Sequence, residues 1–172
     1  ESYGWLWWGA LALPLVCITV LLTVGIPVGQ RMAAVADSNA LQIEVTGYQW
    51  FWQVKYPDYT IELRDELHIP VNRPVYLNLR SADVIHSFWV PRLGVKLDLL
   101  PGRTNVLKLE ASEPGVYRGQ CAELCGKDHG FMPIVVVAKS PDDFNQWIEA
   151  EGARLAKLKA AEQELLSMQM TM

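Results

Sequence analysis

Basic excess is missing from this chain. Fifteen Lys and Arg stand against 19 Asp and Glu in 172 residues, a net charge of −4. Over residues 40–139 the two signs balance at eleven each. A chain without a basic surplus is a poor partner for nucleic acid. No Gly-rich phosphate loop and no internal repeat occurs. Cysteine is scarce, three residues in all, and none stands in the Cys-x-x-Cys-His arrangement that haem attachment requires. Charge is absent altogether between Glu1 and Arg31, and that absence is the first positive statement the chain makes.

Trp5 to Gly29 runs WLWWGALALPLVCITVLLTVGIPVG, long enough to cross the roughly 30 Å hydrocarbon core of a bilayer as a helix. Trp5, Trp7 and Trp8 cluster at one end, where interfacial aromatics sit. A cleaved signal peptide would show a basic leading segment and a shorter apolar core; here Glu1 leads. Pro14 and Pro27 are expected to kink or end the helix. Cys17, inside this run, reads as a small apolar residue and not a ligand. Arg31 is the only basic residue near either end, so charge leaves the orientation open.

What is present is concentrated between Cys121 and Met132, a Cys-x3-Cys-x3-His-x2-Met run built from Cys121, Cys125, His129 and Met132. His86 lies 35 residues upstream, at the end of a β-type run. Thiolate, imidazole and thioether are the donors that copper prefers. Several readings compete. Two exported cysteines could form a disulfide. Two Cys and two His could bind structural zinc, which leaves Met132 unexplained. A mononuclear blue-copper site takes one Cys, two His and an axial Met, which leaves one Cys over. A dinuclear copper site with bridging thiolates uses every donor.

Around this run the sequence reads as short strands rich in Val, Ile, Tyr, Trp and Leu, separated by Pro, Gly, Asn and Asp. A polar linker, Ala33 to Asn39, precedes them. Strands are expected at Leu41–Thr46, Trp50–Tyr56, Thr60–Leu67, Val75–Arg80, His86–Val90, Thr104–Glu110, Gly115–Gln120 and Pro133–Ala138. That spacing suits an antiparallel sandwich or Greek-key barrel. His68 falls at an exposed strand end and carries no role. From Ser140 the pattern turns helical: Ser140 as N-cap, Pro141 in the first turn, Asp143 at N3, then Phe144, Trp147, Ile148, Leu155 and Leu158 at near-helical spacing. Ser167 to Met172, including Met168, Met170 and Met172, reads as a frayed end. The organisation expected is a transmembrane helix over 1–32, a linker over 33–40, a β-domain over 41–139 and a helix with tail over 140–172.

The run GQCAELCGKDHGFMPIVV (Gly119–Val136) resembles the dinuclear copper loop, CuA, of subunit II of haem–copper cytochrome c oxidase. VTGYQWFW (Val45–Trp52), SADVIHSFWVPRLGVKLD (Ser81–Asp98) and PGR (Pro101–Arg103) agree with it, in order, over residues 41–139. The resemblance implies a mainly β, cupredoxin-like domain with an N-terminal transmembrane helix and a C-terminal helix. It implies Cys121 and Cys125 as bridging thiolates and His86 and His129 as terminal ligands. Met132 and the Glu123 carbonyl would be weak ligands, and the Glu123 side chain would hold magnesium shared with subunit I. Trp50 matches the exposed tryptophan through which a c-type cytochrome delivers its electron, and Asp98 an acidic residue at the subunit I interface; Trp52 alternates to the other face of its strand and reads as structural. The function implied is electron input to an enzyme, an oxidoreductase and translocase. From the copper centre the electron passes to haem in subunit I, where oxygen is reduced to water and protons are pumped; this chain has no oxygen-reducing site of its own. The partners implied are subunit I, other oxidase subunits, a c-type cytochrome that is a separate protein or another subunit, and a respiratory membrane. A bacterial plasma membrane is favoured over a mitochondrial inner one, with the copper domain on the periplasmic or intermembrane side. Most relatives carry two transmembrane helices. The one here resembles the second, so the sequence is expected to begin after the first.

Three other functions share parts of this pattern. A membrane-anchored copper chaperone would be thioredoxin-like, with its His far downstream of the cysteines. A nitrous oxide reductase would place an aromatic residue where Glu123 stands, behind a large catalytic domain. A quinol oxidase subunit II would lack the copper ligands.

Overall fold

The structure, a computed structural model, describes residues 3–32, 40–94 and 96–170. Glu1, the expected linker Ala33–Asn39 and the last two residues of the expected tail, Thr171 and Met172, lie outside the described residues. The chain divides into an N-terminal helical unit and a β-rich unit that includes the C-terminal helix.

The first unit is a continuous helix: α1 (Gly4–Leu6), a π-helical stretch (Trp7–Ala12) and α2 (Leu13–Met32). Pro14 and Pro27 do not end it. Pro14 sits one residue into α2, and Pro27 lies inside it. The segment Gly4–Gln30, 27 residues with none of them buried, is long and apolar enough to cross a membrane; at 1.5 Å per residue it measures about 40 Å. Its two threonines are satisfied locally, the Thr19 hydroxyl donating to the Leu15 carbonyl (2.8 Å) and Thr23 to that of Thr19 (2.9 Å).

Among the described residues the second unit has ten strands. They are β1 (Leu41–Tyr48), β2 (Phe51–Tyr56), β3 (Ile61–Arg64), β4 (Glu66–Pro70) and β5 (Val75–Ser81), then β6 (His86–Trp89), β7 (Leu97–Leu99), β8 (Asn105–Leu109), β9 (Gly115–Cys121) and β10 (Pro133–Lys139). Two five-stranded sheets result, ordered β3-β2-β1-β5-β8 and β4-β10-β9-β6-β7. Period-2 alternation explains the inner faces. Leu41, Ile43 and Val45 point inward from β1, Trp52, Val54 and Tyr56 from β2, Ile134, Val136 and Ala138 from β10, and all are buried.

Three strand expectations need correction. The run Thr60–Leu67 is two strands in different sheets. Asp65 breaks it at φ 58°, a left-handed conformation that Asp tolerates. Asp65 Oδ1 accepts the Trp52 N–H at 2.7 Å, and its own N–H donates to the Trp52 carbonyl at 2.9 Å. Strand β7 was not expected; three residues are too few for a periodicity signal. The sheets are mixed and not purely antiparallel, since β1 pairs with β5, and β4 with β10, in parallel. A chain that changes sheets at Asp65 returns in the same direction it left.

Ser140 caps α3 (Pro141–Met170). Its hydroxyl accepts the Asp143 N–H (3.2 Å) and donates to the Asp143 carboxylate (2.6 Å). Helical winding continues through Ser167 to Met170, where a frayed end was expected. The helix docks through Phe144, Trp147 and Ile148 onto the barrel core.

His68 is the partner for that docking, buried and not exposed. Its ring stacks on Trp147 at 4.0 Å, and Tyr56 meets Trp147 edge-on at 5.6 Å. Nε2 reaches Glu66 Oε1 at 2.6 Å, while Nδ1 is buried without a partner. Burial holds the His68 ring below the usual imidazole range, against the opposing pull of Glu66. A depressed folded-state pKa means that folding favours the neutral ring. This contribution to stability is therefore complete above the unfolded value of about 6.5 and is lost as pH falls through the lower folded value. Thermal unfolding between pH 7 and pH 5 is expected to show a falling midpoint, with a shallower slope in His68→Phe. Parallel slopes in the two proteins would remove His68 from the account.

Candidate metal centre

Strand geometry brings the soft donors together at one end of the barrel. Cys121 is the last inward residue of β9 and His86 the first residue of β6, and these strands pair with Phe88 opposite Cys121. Between Cys121 and β10 the chain makes a loop that closes on itself. The Cys121 N–H donates to the Met132 carbonyl at 3.0 Å, and the Ala122 N–H donates to the Ser87 carbonyl at 2.9 Å. Inside the loop the His129 N–H reaches the Gly126 carbonyl (3.2 Å), and His129–Phe131 forms a 3₁₀ turn that aims the His129 ring back at the cysteines.

Each thiol has an imidazole close by, and Cys121 also feels the His129 ring. Cys121 Sγ lies 3.9 Å from His86 Nδ1, and Cys125 Sγ lies 3.6 Å from His129 Nδ1. The two sulfurs are 3.8 Å apart and unbonded, close enough for both to reach one metal at about 2.3 Å. Met132 Sδ stands 3.9 Å from Cys125 Sγ, and the Glu123 carbonyl 3.3 Å from Cys121 Sγ. His86, Cys121, Cys125 and Met132 are buried; Glu123 and His129 are half-buried. His86, Cys121 and Cys125 form the grouping of metal-capable His, Cys and acidic side chains found among the described residues. The donor set fits copper: His86 and the two thiols lie in mutual reach, and His129 and the buried Met132 thioether stand against Cys125. Cys17 is remote in sequence and belongs to the other unit.

Electrostatics separates the thiols. Burial alone would push both up. At Cys121 hydrogen bonds from His86 and from the backbone at Glu123 and Ser87 outweigh it and hold the thiol at about 6. At Cys125 burial is reinforced by the neighbouring Cys121 charge, and the thiol is pushed up to about 12. One proton leaves this pair readily, and a cation is needed to displace the second.

Packing behind the ligands is tight. A β-carbon at Gly47 would stand 2.9 Å from His86 Cδ2, so the inward position on β1 is filled by an imidazole from the other sheet. Trp52, fully buried, meets the His86 ring edge-on at 6.0 Å and Phe88 at 5.7 Å. Trp50 takes a different position, in the two-residue turn between β1 and β2, half-buried. A β-carbon on Gly126 would come within 3.2 Å of Trp50 Nε1, which places the indole directly over the residue that follows Cys125. Gln49 Nε2 donates to the Cys125 carbonyl at 2.8 Å. Sequence reasoning missed Gln49 and Asp83, whose carboxylate takes the His86 Nε2 at 2.8 Å; no local pattern marks either. Asp98 lies half-buried on β7 opposite Ser87.

Residues 60–139 match the family model for the periplasmic domain of cytochrome c oxidase subunit II. Cytochrome c oxidase subunit 2 of Alkalihalophilus pseudofirmus is 40% identical over 146 residues, covering 81% of this chain and 43% of that protein. The Synechocystis subunit 2 is 46% identical over 112 residues, covering 65% and 33%. The chain thus spans between about a third and a half of the length of these curated relatives. Among solved structures, the periplasmic domain of subunit II of cytochrome oxidase of Bradyrhizobium japonicum superposes with a TM-score of 0.65 at 37% identity, over 70% of this chain and 98% of that one.

Proposed function

The chain belongs to the family of cytochrome c oxidase subunit II, and from that premise we propose that it is the electron-input subunit of a respiratory oxidase. Its dinuclear copper centre would be held by His86, Cys121, Cys125, His129, Met132 and the Glu123 carbonyl. The observation that carries this reading is two sulfurs 3.8 Å apart, each with an imidazole nitrogen within 4 Å. Bound there, two coppers bridged by thiolates would share a single electron and change geometry little on gaining or losing it.

The residues supply the frame. Cys121 and His86 sit on paired strands, so their separation is set by a ladder and not by a loop. Met132 closes the apolar side, and Trp52 and Phe88 exclude water behind the imidazole. Trp50, against Gly126, is the residue on which a c-type cytochrome would place its electron. Leu124 and Phe131, 77% and 82% exposed on the copper loop, are apolar surface of the sort that partner proteins cover. From here the electron would go to haem in subunit I, where oxygen reduction and proton pumping take place, with Asp98 at the subunit I border. The Glu123 carboxylate would bind magnesium at the border with subunit I, so the ion is expected only in the assembled complex. The helix Gly4–Gln30 would anchor the chain in a respiratory membrane, more naturally a bacterial one, with the copper domain on the periplasmic side.

Copper loading tests the reading. The full chain in detergent is expected to take up two copper ions, turn purple, and give a paramagnetic resonance spectrum split by both nuclei. A spectrum from one isolated copper would refute the dinuclear centre.

A further inference from the structure

Asp83 lies outside the donor set, on the bend between β5 and β6, yet its carboxylate touches the centre from two sides. Oδ1 accepts from His86 Nε2 at 2.8 Å and from the Val84 N–H at 2.6 Å. Oδ2 accepts the N–H of Gln49 at 2.7 Å, and the Gln49 side chain continues to the Cys125 carbonyl at 2.8 Å. Asp83 and Gln49 therefore tie together two ligand-bearing segments that are 39 residues apart in sequence, His86 and Cys125, along with the turn that carries Trp50.

We propose that Asp83 is the positioning residue of this centre, its carboxylate setting the His86 ring for copper while anchoring the Gln49–Trp50 turn against the Cys125 loop. The inference rests on the copper reading above and concerns a residue that supplies no ligand. A neutral imidazole has one N–H and one lone pair. Donating the N–H from Nε2 to Asp83 leaves the lone pair on Nδ1, the nitrogen that faces Cys121. A carboxylate behind a metal-bound imidazole fixes the tautomer and raises ligand basicity. With its side chain about 30% exposed and that of His86 fully buried, Asp83 keeps its charge while the ring it holds is sealed.

A plainer role is available: Asp83 could merely shape its own bend. Its N–H meets Ser81 Oγ at 3.2 Å, and the Ser81 hydroxyl also bonds the Val84 carbonyl. Three variants of the full chain, loaded with copper in detergent, separate the two roles. Asp83→Asn keeps the shape and removes the charge. It is expected to weaken copper retention against a chelator by about 10- to 100-fold and to raise the reduction potential, because a less basic imidazole favours the cuprous state. Asp83→Glu returns the charge and is expected to restore the potential at least in part. Ser81→Ala loosens the bend without touching His86 and is expected to leave copper retention and potential as in the parent. A parent chain that takes up no copper refutes the copper reading itself. A parent that loads normally beside an Asp83→Asn variant of equal retention and potential overturns this inference alone. Failure of both Asp83 variants to fold assigns the residue to the frame of the bend and overturns it as well.

Discussion

Cys125→Ser is expected to abolish the proposed dinuclear centre. The substitution is nearly isosteric, so the loop should still close through the Cys121 N–H and the Met132 carbonyl. The sulfur that faces Cys121 Sγ, His129 Nδ1 and Met132 Sδ is gone, however, and a hydroxyl is a poor substitute as a soft donor. Losing an outer-shell partner costs about 10- to 100-fold in metal affinity, and losing a bridging ligand should exceed about 100-fold. Metal analysis should find fewer than two coppers, and resonance spectra should lose the coupling between nuclei. Met132→Leu is the informative contrast. Leu fills a similar volume in this buried position, so copper should stay, with a shifted potential and slower transfer. Equal copper loss in both variants would make Met132 a ligand that holds the site together and would overturn its assignment as a weak one.

Trp50→Phe is expected to slow electron transfer from bound cytochrome c by about a factor of ten or more, equivalent to about 1.4 kcal/mol in the barrier. Trp50 lies over Gly126, one residue past Cys125, so the indole offers a short path from the surface into the copper loop. Phenylalanine keeps an aromatic ring in the turn but withdraws the far edge that reaches Gly126. Docking, read as the cytochrome concentration at half-maximal rate, should change much less than the transfer step. Copper spectra should stay near those of the parent, as should oxygen reduction when electrons are delivered directly to the centre. Unchanged transfer from bound cytochrome would make Trp50 a packing residue of the β1–β2 turn.

Much of this was legible in the order of residues. The Cys121–Met132 run announces its chemistry because four soft donors lie within one loop. The strands β1, β2, β9 and β10 announce themselves by clean alternation. The Ser140 cap is local and was readable for the same reason. Other features depend on what distant segments do. The break at Asp65 is hidden inside an apolar alternation that reads as one strand, because nothing in four residues says that two sheets will claim its halves. His68 has charged and proline neighbours, which suggest exposure; its burial comes from Trp147, 79 residues later. Asp83 and Gln49 act through hydrogen bonds spanning 34 and 76 residues, and such bonds leave no periodic trace. The sequence therefore marked the candidate donors better than the groups that hold them.

The packing of Gly47 against His86 makes the two histidines unequal as experimental targets. His86 fills a hole in the hydrocarbon interior, pressed between a glycine and an indole, so it doubles as a stone in the barrel's arch. Truncating it would open a cavity costing stability whatever metal is present, and lost copper in such a variant would be ambiguous between a missing ligand and a slackened barrel. His129, half-exposed on a short turn, carries no such structural duty. The proposed ligation is therefore cleanly separable from architecture at His129, and the two are fused at His86.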